Sequence, residues 1–129
     1  MKRIVLVDDD MDDAELFQEA LEEVDSKLHF QHFDNAKAAF REWSEPAASL
    51  PDVIFLDLNL PQVSGWEILK FLRQTSHLTS IPVIMYTTSS LEVESEHALI
   101  LGANSFITKP SSYRELKHLL AEVLAKFLR

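Results

Sequence analysis

Three short runs constrain this chain more than any other feature. Ile4-Val5-Leu6-Val7, Val53-Ile54-Phe55-Leu56 and Val83-Ile84-Met85-Tyr86 are apolar at every position. A strand with one face in water alternates apolar and polar residues. A run without that alternation suits a strand covered on both faces, as in a parallel sheet flanked by helices. Leu28-His29-Phe30-Gln31-His32-Phe33 is less uniform and reads as an edge strand, and Ser105-Phe106-Ile107-Thr108 as a short fifth strand. Helical spacing fills the intervals. Ala14, Phe17, Leu21 and Val24 form one stripe, and Ala36, Ala39, Phe40 and Trp43 a second that ends before Pro46. A third helix follows Gly65 and carries Trp66, Leu69, Lys70 and Leu72. A fourth spans about Leu91 to Leu101 and stops at Gly102. The last starts at Ser112, with Glu115 placed for a capping box, and carries Leu116, Leu119, Leu120, Val123 and Phe127. Strict alternation of strand and helix predicts an α/β fold: a doubly wound five-stranded parallel sheet flanked by five helices.

At 129 residues the chain suits one domain, 1–129, with the stretch Ser44 to Pro51 as a proline-bounded loop. Its net charge of −9 disfavours direct nucleic-acid binding, which needs a basic surface for the phosphate backbone. It has no cysteine, so disulfides and thiolate metal sites are excluded. No apolar run approaches the ~20 residues of a membrane span, and a cytoplasmic location is expected. The five histidines are scattered without metal-ligand spacing and are expected to be solvated.

In an open parallel sheet, ligands bind beyond the carboxyl ends of the strands. Asp8, Asp9 and Asp10 stand at the end of the first strand, Asp57 at the third, Thr87 at the fourth, and Lys109-Pro110 at the fifth. Carboxylates brought together there repel one another unless one is protonated or a cation lies between them. A hard divalent ion held by one or two carboxylates and phosphate oxygens describes magnesium. A carboxylate can also act as a nucleophile toward phosphorus. Lys109 would then supply positive charge and Thr87 a hydroxyl for the transferred group. Each residue also has a plainer reading. Asp9 or Asp10 can cap the first helix, and Asp57 can turn its loop.

Val7-Asp8-Asp9-Asp10, Phe55-Leu56-Asp57-Leu58-Asn59-Leu60-Pro61, Gly65, Pro82-Val83-Ile84-Met85-Tyr86-Thr87, Gly102-Ala103 and Lys109-Pro110 occur in that order. With these residues the chain resembles, over essentially its whole length, the receiver domains of two-component response regulators. Its loop before Pro51 and its Leu-Asn-Leu-Pro and Thr-Thr-Ser tracts are similar to the single-domain regulators that pair with bacterial phytochrome kinases. The resemblance implies sheet order 2-1-3-4-5, Asp57 as phospho-acceptor, and magnesium bound by Asp8, Asp9, Asp57 and the backbone carbonyl of Asn59. It further implies that Lys109 contacts the phosphoryl group, that the bond to Pro110 is cis, and that Thr87 and Phe106 move on activation. Phe106 stands where the family often has tyrosine, and so has no phenol hydroxyl to bond.

The resemblance makes a sensor histidine kinase or phosphotransfer protein the donor, and Leu16, opposite the buried stripe of the first helix, the candidate docking residue. Leu99-Ile100-Leu101, and Tyr113, Leu124 and Leu128, allow either a broad core face or a surface for a phosphorylation-dependent homodimer or a downstream protein. The chain is expected to be a switch without an output domain, not an enzyme beyond gaining and losing its own phosphate. Two rivals are a magnesium-dependent phosphohydrolase and a receiver-like scaffold. The first lacks an acid-base carboxylate soon after Asp57, where Asn59 stands two residues on.

Overall fold

The computed structural model describes residues 1–45 and 50–128. Its strands are β1 (Arg3–Val7), β2 (His29–Phe33), β3 (Val53–Leu56), β4 (Val83–Thr87) and β5 (Ser105–Thr108). Its helices are α1 (Met11–Val24), α2 (Ala36–Trp43), α3 (Gly65–Gln74), α4 (Glu92–Ile100) and α5 (Tyr113–Phe127). The strands form one parallel sheet in the order β2-β1-β3-β4-β5. This is the doubly wound α/β architecture read from the alternation. Most of the loop expected between Ser44 and Pro51 lies outside the described residues.

Apolarity at every strand position has the physical cause inferred for it. Side chains alternate across the sheet, and both faces are covered. Ile4, Leu6, Phe55, Ile84 and Tyr86 pack against Phe17 and Leu21 of α1 and Leu116 and Leu120 of α5. Val5, Val7, Ile54, Leu56 and Met85 face the other way, toward Ala39 and Trp43 of α2, Leu69 and Leu72 of α3 and Ala98 of α4. Phe17 anchors the first layer by meeting Phe55 edge-on at 5.0 Å and Tyr86 at 5.6 Å.

Four helices carry side-chain N-caps: Asp10, Asn35, Ser64 and Ser112 accept from the N–H three residues on. The plainer reading of Asp10 therefore holds. α4 differs. Its N-cap, Leu91, offers no side-chain hydrogen bond, and Ala98 is its one buried residue. Leu99 and Ile100 are 53% and 80% exposed. On α5, by contrast, Leu124 is buried and Tyr113 and Leu128 pack against the core, so the broad core face accounts for them.

The contacts of three residues were not legible in the pattern. Arg73 at the end of α3 donates to the carbonyls of Gly102, Thr79 and Ile81 and to Asn104 Oδ1. It ties the loops before β4 and β5 together. Gly102 takes φ +105°, with the Arg73 side chain lying over it. His32 and His77 are half-buried rather than solvated, and their Nε2 atoms donate to the carbonyls of Asp8 at 2.7 Å and Trp43 at 3.0 Å.

Candidate phosphoryl-acceptor site

Order β2-β1-β3 means that the chain leaves β1 in one direction and later returns on its other side. The cleft at the carboxyl end of such a reversal is where doubly wound sheets bind ligands. The ladder continues one residue past each strand here. Asp8 N donates to Phe33 O, Asp57 N to Val7 O and Lys109 N to Thr87 O, at 3.1, 3.0 and 2.7 Å. These bonds bring Asp8, Asp57 and Lys109 to one edge as direct extensions of the sheet.

Asp8 is fully buried, Asp57 nearly so, and Asp9 exposed. One carboxylate oxygen from each lies within 4.8 Å of the others. Lys109 Nζ donates to Asp8 Oδ2 at 2.8 Å, Asp13 Oδ2 at 2.8 Å and Asp57 Oδ2 at 3.2 Å. Asp8 Oδ1 accepts from Asp10 N and Asp57 Oδ1 from Asn59 N. One ammonium thus faces Asp8, Asp13 and Asp57, with Asp9 alongside, and negative charge is left over. A hard divalent cation suits that surplus and the all-oxygen donor set.

Electrostatics reflect the crowding. Burial pushes the Asp8 carboxyl up from 3.8 to about 6, against the lowering effect of Lys109 and the Asp10 N–H. A carboxyl that holds its proton more tightly when folded weakens the fold as pH rises through that interval. This group's contribution to stability therefore grows as pH falls from about 6 toward 3.8. Burial disfavours the Lys109 ammonium, but hydrogen bonds to Asp13 and Asp8 outweigh it and raise its pKa.

Gly65 sets the position of the acceptor from behind. Its N–H donates to Leu58 O at 3.0 Å. A Cβ there would meet Asp57 O at 2.3 Å and Leu58 Cα at 2.9 Å, which are backbone atoms that cannot swing away. Gly65→Ala is expected to destabilise the protein by about 3 kcal/mol, at the upper end of ordinary overpacking. It should also slow phosphoryl acceptance by displacing Asp57. Urea denaturation checks the first effect, and unchanged stability would contradict it.

Thr87 is buried at the end of β4, where its Oγ1 accepts from Ser89 N at 3.3 Å. Ser89 also bonds Glu94 through its hydroxyl, and its carbonyl accepts from Thr108 Oγ1 at 2.8 Å. Phe106 is half-buried against the layer that holds Met85 and Ala98. Leu16 is 46% exposed and lines a 110 Å³ cleft with Asp13, Tyr86, Lys109 and Tyr113. One expectation fails: among the described residues no peptide bond is cis, and Lys109–Pro110 is trans. Trans is the intrinsically favoured isomer of an X–Pro bond, by about 0.5–1 kcal/mol. Asp13 is the residue that the sequence reading missed. Its one signal was position, three residues after Asp10 in the first turn of a helix rising from the acidic cluster.

The family model of the response regulator receiver domain matches residues 4–121. The chain belongs to the response regulator receiver family. It is 32% identical over 123 residues to the probable methanogenesis regulatory protein FilR2 of Methanothrix harundinacea, covering 93% of this chain and 79% of that one. It spans less than half the length of several longer curated relatives. The fold superposes with a TM-score of 0.88 on the phosphorylated cyanobacterial phytochrome response regulator RcpA, at 32% identity over 98% of this chain and 94% of that one. It matches the Mn(2+)-bound response regulator Rcp1 equally, with a TM-score of 0.88 at 28% identity over 100% of this chain and 96% of that one. Receiver membership, phosphoacceptor signalling and the 2-1-3-4-5 sheet agree with the reading of the sequence. Among the described residues no helix is long and apolar enough to cross a membrane.

Proposed function

We propose that this receiver accepts a phosphoryl group on Asp57 from a sensor histidine kinase or phosphotransfer protein, and that acceptance depends on magnesium. The observation that carries this is the meeting of Asp8, Asp9 and Asp57 oxygens within 4.8 Å, with Lys109 Nζ on Asp57 at 3.2 Å. Magnesium bound by the Asp8, Asp9 and Asp57 carboxylates and the Asn59 carbonyl would neutralise charge on the phosphoryl oxygens. An Asp57 oxygen attacks phosphorus, and its bond to the donor's leaving group breaks. Lys109 pairs with a phosphoryl oxygen of the product. The Thr87 hydroxyl turns toward another, giving up its bond from Ser89 N and thereby loosening the loop into α4, while Phe106 moves inward.

The phosphorylated state of RcpA and the manganese bound to Rcp1 support this reading by likeness. The chain acts as a switch in the cytoplasm, not as an enzyme with an external substrate, and without contact to nucleic acid or membrane. Leu99 and Ile100, exposed on a helix held by one buried side chain, are the surface for a downstream protein or a phosphorylation-dependent homodimer through α4 and α5. Incubation with acetyl phosphate and magnesium tests the reading. A stoichiometric mass gain supports it. Continuous turnover supports a phosphohydrolase instead, and no reaction supports a scaffold.

The donor docks on α1. Leu16→Glu is expected to slow transfer from the kinase about tenfold or more, as loss of a central apolar anchor does, while labelling by acetyl phosphate is unchanged. Equal slowing with both donors would contradict a docking role.

A further inference from the structure

Lys109 has a partner that phosphoryl acceptance does not use. An ammonium carries three protons, and those of Lys109 are committed to Asp8, Asp13 and Asp57. A phosphoryl oxygen can bond Lys109 only if one of these partners gives way.

The three differ in what release would cost. Asp8 is fully buried, and a buried carboxylate stripped of its cation is strongly unfavourable. Asp57 is the acceptor itself and stays beside the new group. Asp13 has a side chain 36% exposed, so its carboxylate can pass into water at small cost. It is also outside the oxygen cluster suited to a cation. Its backbone is fixed independently, because Asp13 N donates to the Asp10 cap at 3.1 Å. Asp13 is therefore held in place by α1 and reaches into the site only through its carboxylate.

We propose that Asp13 is a positioning residue that occupies Lys109 in the resting protein and must release it for the phosphoryl group to be accepted. This rests on the reading of Asp57 as acceptor. Asp13 thereby slows acceptance and makes its rate depend on the conformation of the first turn of α1.

The test compares wild type, Asp13→Asn and Asp13→Glu with acetyl phosphate and magnesium. In this step a bond forms between an Asp57 oxygen and phosphorus. The bond from phosphorus to the acetate oxygen breaks, and acetate leaves with the electron pair. Asp13→Asn is expected to accept phosphate about three- to fivefold faster, and to bind beryllofluoride more tightly by a similar factor, as followed by fluorine NMR. The gap should shrink as salt is raised, because the pair is partly exposed. Asp13→Glu should restore the slow rate, which a purely structural role would not require. Asp13→Asn equal to or slower than wild type, or Asp13→Glu as fast as Asp13→Asn, overturns the proposal. If wild type itself takes up neither phosphate nor beryllofluoride, the acceptor reading falls and takes this inference with it. Wild-type uptake unaltered by Asp13→Asn removes this inference alone.

Discussion

Replacing Lys109 with methionine is expected to cost the metal-free protein about 3 kcal/mol of stability, and magnesium is expected to return part of it. The Lys109 side chain is 10% exposed and is the cation facing Asp8, Asp13 and Asp57. Methionine fills similar space but leaves Asp8 and Asp57 buried without a counter-charge. Removing one partner of a buried ion pair typically costs 3–5 kcal/mol. The low end applies because the Asp8 carboxyl, already pushed up to about 6, can take a proton and relieve the repulsion. A divalent cation does the same more completely, so binding should stabilise the variant more than the wild type. Urea denaturation with and without magnesium measures both quantities. A variant as stable as wild type, with no larger gain from the metal, would show that Lys109 does not neutralise this cluster.

Asp57→Asn is expected to abolish phosphoryl acceptance from acetyl phosphate. The amide is close in shape, and its neighbours can stay where they are, but it lacks the carboxylate oxygen that attacks phosphorus. Asp8 is fully buried and so closed to a phosphoryl donor, and Lys109 Nζ donates to Asp8, Asp13 and Asp57 rather than to Asp9, so neither is arranged to take over. The substitution also removes one negative charge from a crowded cluster. The metal-free protein should therefore be at least as stable as wild type, which separates loss of chemistry from loss of fold. Intact-mass measurement after incubation should show no gain. A gain equal to that of wild type would move the acceptor to another residue.

The sheet was legible because its cause is local. Runs such as Val53-Ile54-Phe55-Leu56 admit few surroundings other than a doubly covered parallel strand, and their polar ends bring Asp8, Asp57, Thr87 and Lys109 to one edge by topology alone. Caps such as Ser112 were legible for the same reason. What escaped depends on long side chains crossing between elements. Asp13 lies one helical turn beyond the cap and belongs to the site only because Lys109, 96 residues later, reaches it. Arg73 and His32 are likewise defined by carbonyls on other loops and strands. The trans bond at Pro110 shows the limit of carrying a family feature over: the Lys-Pro pair is present, but its isomer is not written in the residues. Exposure was ambiguous on α5 because Tyr113, Leu124 and Leu128 face a core that only the neighbouring α1 and the sheet define.

The central claim is that Asp57 takes the phosphoryl group. Its most direct test is to treat the wild-type protein with acetyl phosphate and magnesium, reduce it with borohydride, and map the modified peptide. An aspartyl phosphate is reduced to homoserine, so the account predicts homoserine at position 57, and none when magnesium is withheld. Homoserine at Asp8, Asp9 or Asp13, or an unmodified Asp57 in the presence of magnesium, would contradict it.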